Sequence, residues 1–279
     1  MRFPALVVSS LVTALFVPAA LAQQGVSLAT GSALTDFTTW TLAGSAVAVN
    51  ETPGNGFTYS LLKLTQAGTG DQAGSGFASV ALVMDFNQPF YFDFNFFIPA
   101  STELRGDGMS FTLATAAGLG SGGSGLGYGG INNSVAFAID TFHFDGEPVS
   151  PSLQVLTQGN TTPLATTLTG LGDSIRDPNF QWWASVSYVP SGNDDNTGML
   201  TGRIEHLNLG SFEVVANIDF GALGLADNPV FYGFTASNGL ATDGHFVTSA
   251  VPVPEPGSWA LMSLGLMAVA GRAWRRRPD

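Results

Sequence analysis

The chain contains no cysteine. This excludes disulfides and thiolate metal sites and leaves the redox compartment open. Positive charge is also scarce: 9 Lys and Arg stand against 21 Asp and Glu in 279 residues, for a formal net charge of −12. Between Gln23 and Pro256 the only cations are Lys63, Arg105, Arg176 and Arg203. Nucleic acid binding needs clustered Lys and Arg to displace phosphate counterions, so the composition argues against a nucleic-acid partner. The acidity suits solubility outside the cell.

Other absences narrow the chemistry. No amphipathic helix of useful length and no repeat of fixed period appears between Gln23 and Val253. Gly118, Gly120 and Gly123 satisfy G-x-G-x-x-G, as do Gly125, Gly127 and Gly130. The dinucleotide fingerprint also requires a following helix, whose N-terminus holds the pyrophosphate. Here a strand-like run follows, Ser134-Val135-Ala136-Phe137-Ala138-Ile139, and no Lys stands where a P-loop needs one. The loop also lacks the regular Asp residues of calcium-binding glycine repeats. There is no nucleophile elbow.

What is present is alternation. Phe90, Phe92, Phe94 and Phe96 fall on one face, with Tyr91, Asp93 and Asn95 on the other. Period two marks a half-buried strand, and a one-residue slip would expose all four rings. The same pattern recurs at Met109–Leu113, Trp182–Tyr188, Phe212–Phe220 and Val230–Ala236. Turn residues separate the runs at Gly106-Asp107-Gly108, at Ser191–Asn196 and at Asp227-Asn228-Pro229. With 35 Gly, 21 Phe and few charges, the chain reads as all-β, a two-sheet antiparallel sandwich or jelly roll. The Asn193–Asn196 oxygens read as a solvated hairpin tip, and His206 and His245 as loop or surface histidines.

Both ends read as addresses. Arg2, an apolar run to Pro18 and Ala20-Leu21-Ala22 before Gln23 form a signal peptide over residues 1–22, a signal helix that signal peptidase would remove. The body spans 23–248, and a Pro-rich linker follows at 249–256. Residues 257–279 hold a short apolar helix and an Arg-rich tail. The apolar run is shorter than the ~20 residues of an ordinary spanning helix, but its flanks extend it, and the arginines would stay cytoplasmic.

Pro254-Glu255-Pro256, the apolar run and Arg275-Arg276-Arg277, in that order, resemble the PEP-CTERM sorting signal. The resemblance implies export, a transient inner-membrane anchor, recognition by an exosortase, removal of the tail, and a final place at the cell surface or in the extracellular matrix.

"GDGMSFTLAT", a Gly-rich loop and "GLGYGGINNSVAFAIDTF" resemble the legume-type (L-type) lectin domain. Phe37–Leu42, "LKLTQAG", "QAGSGF" and "FYGFTASNGLATDGH" extend the likeness over about Phe37 to Phe246. The resemblance implies a concanavalin-like sandwich that binds carbohydrate, here an extracellular glycan or exopolysaccharide. It places a sugar-accepting carboxylate at Asp107 and a donating backbone N–H at Gly123 or Gly125. Acceptor-only and donor-only groups together read a hydroxyl pair. The alternative is a structural protein of the polysaccharide matrix that has lost sugar binding.

The family's calcium and transition-metal pair needs more ligands than this chain offers. A Glu position is occupied by Ala138 and an Asn position by Phe144, leaving Asp140 with Asp145 nearby. Ca²⁺ takes six to eight oxygens, so the pattern supports at most one altered calcium site, on Asp140 and Asp145. Sandwich glycosidases of the laminarinase type need paired carboxylates, ~5–5.5 Å apart in retaining enzymes. The matching strand here has Asp140 alone, and a non-enzymatic role is expected.

Overall fold

The structure is a computed structural model that describes residues 26–27, 36–51, 59–101, 104–176 and 182–248. The expected signal helix, the linker and the C-terminal apolar helix lie outside the described residues. Among the described residues no helix is long and apolar enough to cross a membrane.

The strands, in chain order, are β1 (Val26–Ser27), β2 (Thr41–Gly44), β3 (Val47–Glu51), β4 (Tyr59–Thr65), β5 (Ala73–Phe77) and β6 (Leu82–Val83). There follow β7 (Phe90–Phe97), β8 (Gly108–Ala114), β9 (Ser134–Asp140), β10 (Ser152–Thr157) and β11 (Ala165–Leu168). The last are β12 (Trp182–Pro190), β13 (Thr197–His206), β14 (Gly210–Asp219), β15 (Pro229–Ser237) and β16 (His245–Thr248).

They form two eight-stranded sheets. The back sheet runs β14-β13-β12-β7-β16-β4-β3, with β1 paired parallel to β7. The front sheet runs β11-β10-β9-β8-β15-β5-β2, with β6 paired to β15. All pairings other than β1 with β7 are antiparallel. This is the all-β sandwich the alternation predicts.

The main core fills the space between the sheets. β7 alternates buried and half-buried residues along its length, with Phe90, Phe92, Phe94 and Phe96 inward. Phe94 meets Phe234 of the front sheet edge to face at 4.8 Å and stacks on Phe111 at 5.9 Å. Such offset and T-shaped pairs suit the ring quadrupole, and each buried Phe contributes about 1.5–3 kcal/mol. Gly202 on β13 lies opposite Phe137, where an added Cβ would run into the ring.

Strand β8 differs from the half-buried expectation, and β9 beside it shares its burial: every residue of both is buried. The reason is a second core on the outer side of the front sheet. The glycine-rich segment 118–131 folds over that side as a lid and seats Leu126, Tyr128 and Ile131 against Ala114, Ala136 and Ala138. Tyr128 is fully buried; its hydroxyl pairs with Ser134 Oγ at 2.8 Å and accepts the Gly159 N–H at 3.1 Å. Small side chains on the strands leave room for the lid's larger ones.

The two histidines expected in loops or at the surface are buried. His245 begins β16 at 0% exposure with Nδ1 2.8 Å from Thr65 Oγ1, and burial drives its pKa down to about 3. His206, 5% exposed, ends β13 against the Trp182 indole at 4.7 Å. Each stands at a strand terminus where the neighbouring strand covers it.

Candidate functional site

Asp107 stands at the entry to β8, between the lid and the loop that follows β15. Its backbone is held from both sides. The Asp107 N–H donates to the Ser237 carbonyl at 3.0 Å, and the Asp107 carbonyl accepts from Thr141 N–H at 2.9 Å and Thr141 Oγ1 at 3.1 Å. Ser237 Oγ in turn donates to the Gly123 carbonyl at 2.6 Å, tying the lid to β15. The Gly106–Asp107 peptide is cis.

The carboxylate itself is left without a partner at Oδ2. Asp107 is 8% exposed, and its Oδ2 is buried without a hydrogen-bond partner. Glycines wall it on two sides: a Cβ added to Gly239 would lie 3.4 Å from Oδ2, and one added to Gly123 3.8 Å. Burial, reinforced by the negative charges of Glu147 and Asp243, pushes the Asp107 pKa up to about 6. An unsatisfied buried acceptor costs about 1–3 kcal/mol, and a donor brought by a ligand would relieve that cost.

Of the two expected backbone donors, the structure brings Gly123 beside Asp107, with φ +60°. Gly125 is buried at the end of a short 3-10 turn, and its N–H donates to the Gly122 carbonyl at 3.1 Å. Leu240, 90% exposed, follows Gly239 on the opposite rim. The rim loop is pinned by Asn238, whose Nδ2 donates to the Thr69 carbonyl at 2.8 Å and the Asp243 carbonyl at 2.9 Å.

Asp140, at the end of β9, is 5% exposed and fully engaged with protein donors. Oδ1 accepts from Phe142 N–H at 3.0 Å and Ser150 Oγ at 2.8 Å, and Oδ2 accepts from Gln154 Nε2 at 2.7 Å. Burial outweighs these bonds and pushes its pKa up to about 7. Asp145 is exposed on the loop after β9, and Phe144 is exposed beside it. Among the described residues no group of three or more His, Cys, Asp or Glu is placed to hold a metal ion. The donor set around Asp140 does not fit the calcium and transition-metal pair that the fold's lectin resemblance implies.

Three residues at the site are not among the expected site residues: Gln154, Arg176 and Asp243. Asp243 is fully buried; its Oδ2 accepts the Gly106 N–H at 3.2 Å and its Oδ1 lies 3.4 Å from the Arg176 guanidinium. The hairpin tip at Asn193–Asn196 behaves as expected: Asp195 Oδ1 accepts from Ser191 Oγ, Thr197 N–H and Thr197 Oγ1. The sorting residues Pro254, Glu255, Pro256, Arg275, Arg276 and Arg277 lie outside the described residues.

Comparison with known proteins bears on both parts of the chain. Residues 252–277 match the PEP-CTERM protein-sorting motif. A search of the curated proteins finds no match. Among solved structures, the lectin from Bauhinia forficata in complex with GalNAc is similar at 18% identity and TM-score 0.62, over 78% of this chain and 92% of that one. Arcelin-5, a lectin-like defence protein from Phaseolus vulgaris, is similar at 19% identity and TM-score 0.59, over 77% and 93%. The Lotus tetragonolobus seed lectin is similar at 17% identity and TM-score 0.59, over 80% and 97%. The chain thus combines the sandwich fold of the legume lectins with a PEP-CTERM sorting motif.

Proposed function

We infer that this protein is an exported, surface-sorted lectin-like protein that binds extracellular carbohydrate at Asp107. The observation that carries the reading is the buried Asp107 Oδ2, which has no hydrogen-bond partner and lies between Gly123 and Gly239. A carboxylate oxygen is an acceptor only, and sugar hydroxyls are the donors such a slot suits. Gly123 and Gly239 put no side chain beside Oδ2. The fold supports the reading, since the Bauhinia forficata lectin of similar fold is seen in complex with GalNAc. The sorting motif at 252–277 supports processing by an exosortase after export, with signal peptidase acting on residues 1–22. We read no catalytic role, because the carboxylates around the site are not arranged as an acid and nucleophile pair on one strand.

A second reading, a matrix protein with the sandwich but no sugar binding, is favoured by Ala138 and Phe144 at two of the expected ligand positions. A glycan array, together with retention on immobilised exopolysaccharide, separates the two. Retention that is lost in Asp107→Ala supports the first. A blank array and no retention by the folded protein supports the second.

A further inference from the structure

Two of the four cations between Gln23 and Pro256 meet at the Asp107 loop: Arg105, which lies in it, and Arg176. Arg176 is 9% exposed; its NH1 donates to the Leu104 carbonyl at 3.0 Å and lies 3.4 Å from Asp243 Oδ1. Its NH2 reaches Asp173 Oδ1 at 3.0 Å, and Arg105 NH1 reaches the same oxygen at 2.9 Å. Arg105 Nε donates to the Thr141 carbonyl at 2.9 Å. Thr141 then holds the Asp107 carbonyl, and Asp243 holds the Gly106 N–H. The loop from Leu104 to Asp107 is therefore fastened at both ends through guanidinium groups.

The carboxylate expected to ligate a cation, Asp140, is engaged with protein donors. Gln154 lies on β10 in register with Ala138, and Ser152 in register with Asp140. The methyl of Ala138 supplies no oxygen; the Gln154 amide reaches Asp140 Oδ2 and also donates to Ser152 Oγ at 3.0 Å. An N–H aimed at a carboxylate oxygen puts partial positive charge where a cation would otherwise sit. A hard cation asks for six to eight oxygens, and here donors converge on the carboxylate instead.

We propose that the Asp107 site is held by protein donors alone: Gln154, Ser150 and the Phe142 N–H on Asp140, and Arg105 and Arg176 on the loop backbone and its supports, in place of a divalent cation. The proposal rests on reading Asp107 as the ligand contact, but its test needs no ligand. Gln154 and Arg176 are positioning residues: they act through Asp140, Asp243 and the loop backbone.

The test is thermal unfolding of the full chain after EDTA dialysis, then with CaCl₂ and with MnCl₂ added back, alongside metal analysis of the purified protein. A site filled at about 100 times its Kd would raise Tm on the order of 5–10 °C in a domain of this size. The expected result is no Tm change with chelator or either metal, no stoichiometric metal, and a lower Tm in Gln154→Leu. A wild-type Tm that falls with EDTA and recovers with calcium overturns the proposal, as does a Gln154→Leu variant with unchanged Tm. If Gln154→Leu does not fold, the wild-type response to chelator still decides. A cation-indifferent protein that retains no glycan would remove the functional reading and leave this one standing.

Discussion

Gln154 Nε2 donates to Asp140 Oδ2 at 2.7 Å, although the strand register sets Gln154 beside Ala138 and not beside Asp140. The amide crosses diagonally to the carboxylate over the space a larger residue at position 138 would fill. Asp107 Oδ2 receives no such donor, and the two carboxylates divide the work: one is a fastened support, the other is unpartnered.

That division makes Asp107→Ala informative. The substitution removes a buried acceptor that has no partner, worth about 1–3 kcal/mol of penalty. Glycan retention is expected to vanish while Tm stays level or rises by about 2–4 °C. Differential scanning calorimetry beside a retention assay checks both. A large fall in Tm would mean that the carboxylate is part of the framework.

The pH response follows from the raised pKa of about 6 at Asp107. Only the ionised form is a pure acceptor. Retention on exopolysaccharide is expected to strengthen roughly tenfold between pH 5 and pH 7 as the carboxylate loses its proton. Stability runs the other way for this group: its folded pKa lies above the usual carboxylate range. Its contribution is therefore present below about pH 4 and is lost as pH rises through about 6. Asp107→Ala should remove the Asp107 part of the Tm profile and leave that of Asp140, whose pKa is also raised, to about 7, by burial; Tm measured across that range in wild type and variant checks this.

Two core substitutions test the packing between the sheets. Phe94→Ala removes a ring that meets Phe234 and Phe111, and is expected to cost about 3–5 kcal/mol. Gly202→Ala drives a methyl into the Phe137 ring and is expected to cost about 1–3 kcal/mol by overpacking. Urea denaturation should show lower midpoints with unchanged slopes in both.

The sorting reading has a covalent signature. Mass spectrometry of protein recovered from the cell surface is expected to find peptides from the 23–248 body and none from 257–279. Changing Arg275, Arg276 and Arg277 to Ala is expected to leave the tail attached. Surface protein that carries residues 257–279 intact would count against exosortase processing.

The sandwich is legible in the sequence because its strands advertise themselves locally. Four Phe at alternate positions of β7 admit only one register, and the structure has it. Asp107 is legible as part of a short motif. Its surroundings are not, since they come from distant parts of the chain: Arg176 and Asp243 are 67 residues apart, and Gln154 and Asp140 are 14 apart. Polar pairs of that kind leave no periodic trace. The double burial of β8 and β9 escapes for a related reason. Leu126, Tyr128 and Ile131 are scattered among glycines in the lid, so no strand or helix period marks them as apolar core. His206 and His245 are misjudged because a lone histidine gives no hint of the strand that will cover it.

The lid has a small core of its own, apart from the phenylalanine layer between the sheets. Cooperative units of this kind can open separately, the smaller one at lower free energy. Hydrogen exchange should find two tiers of protection, with amides of 118–131 exchanging well before those of β7 and β12. A protease would then nick the lid first and leave the two sheets folded behind it.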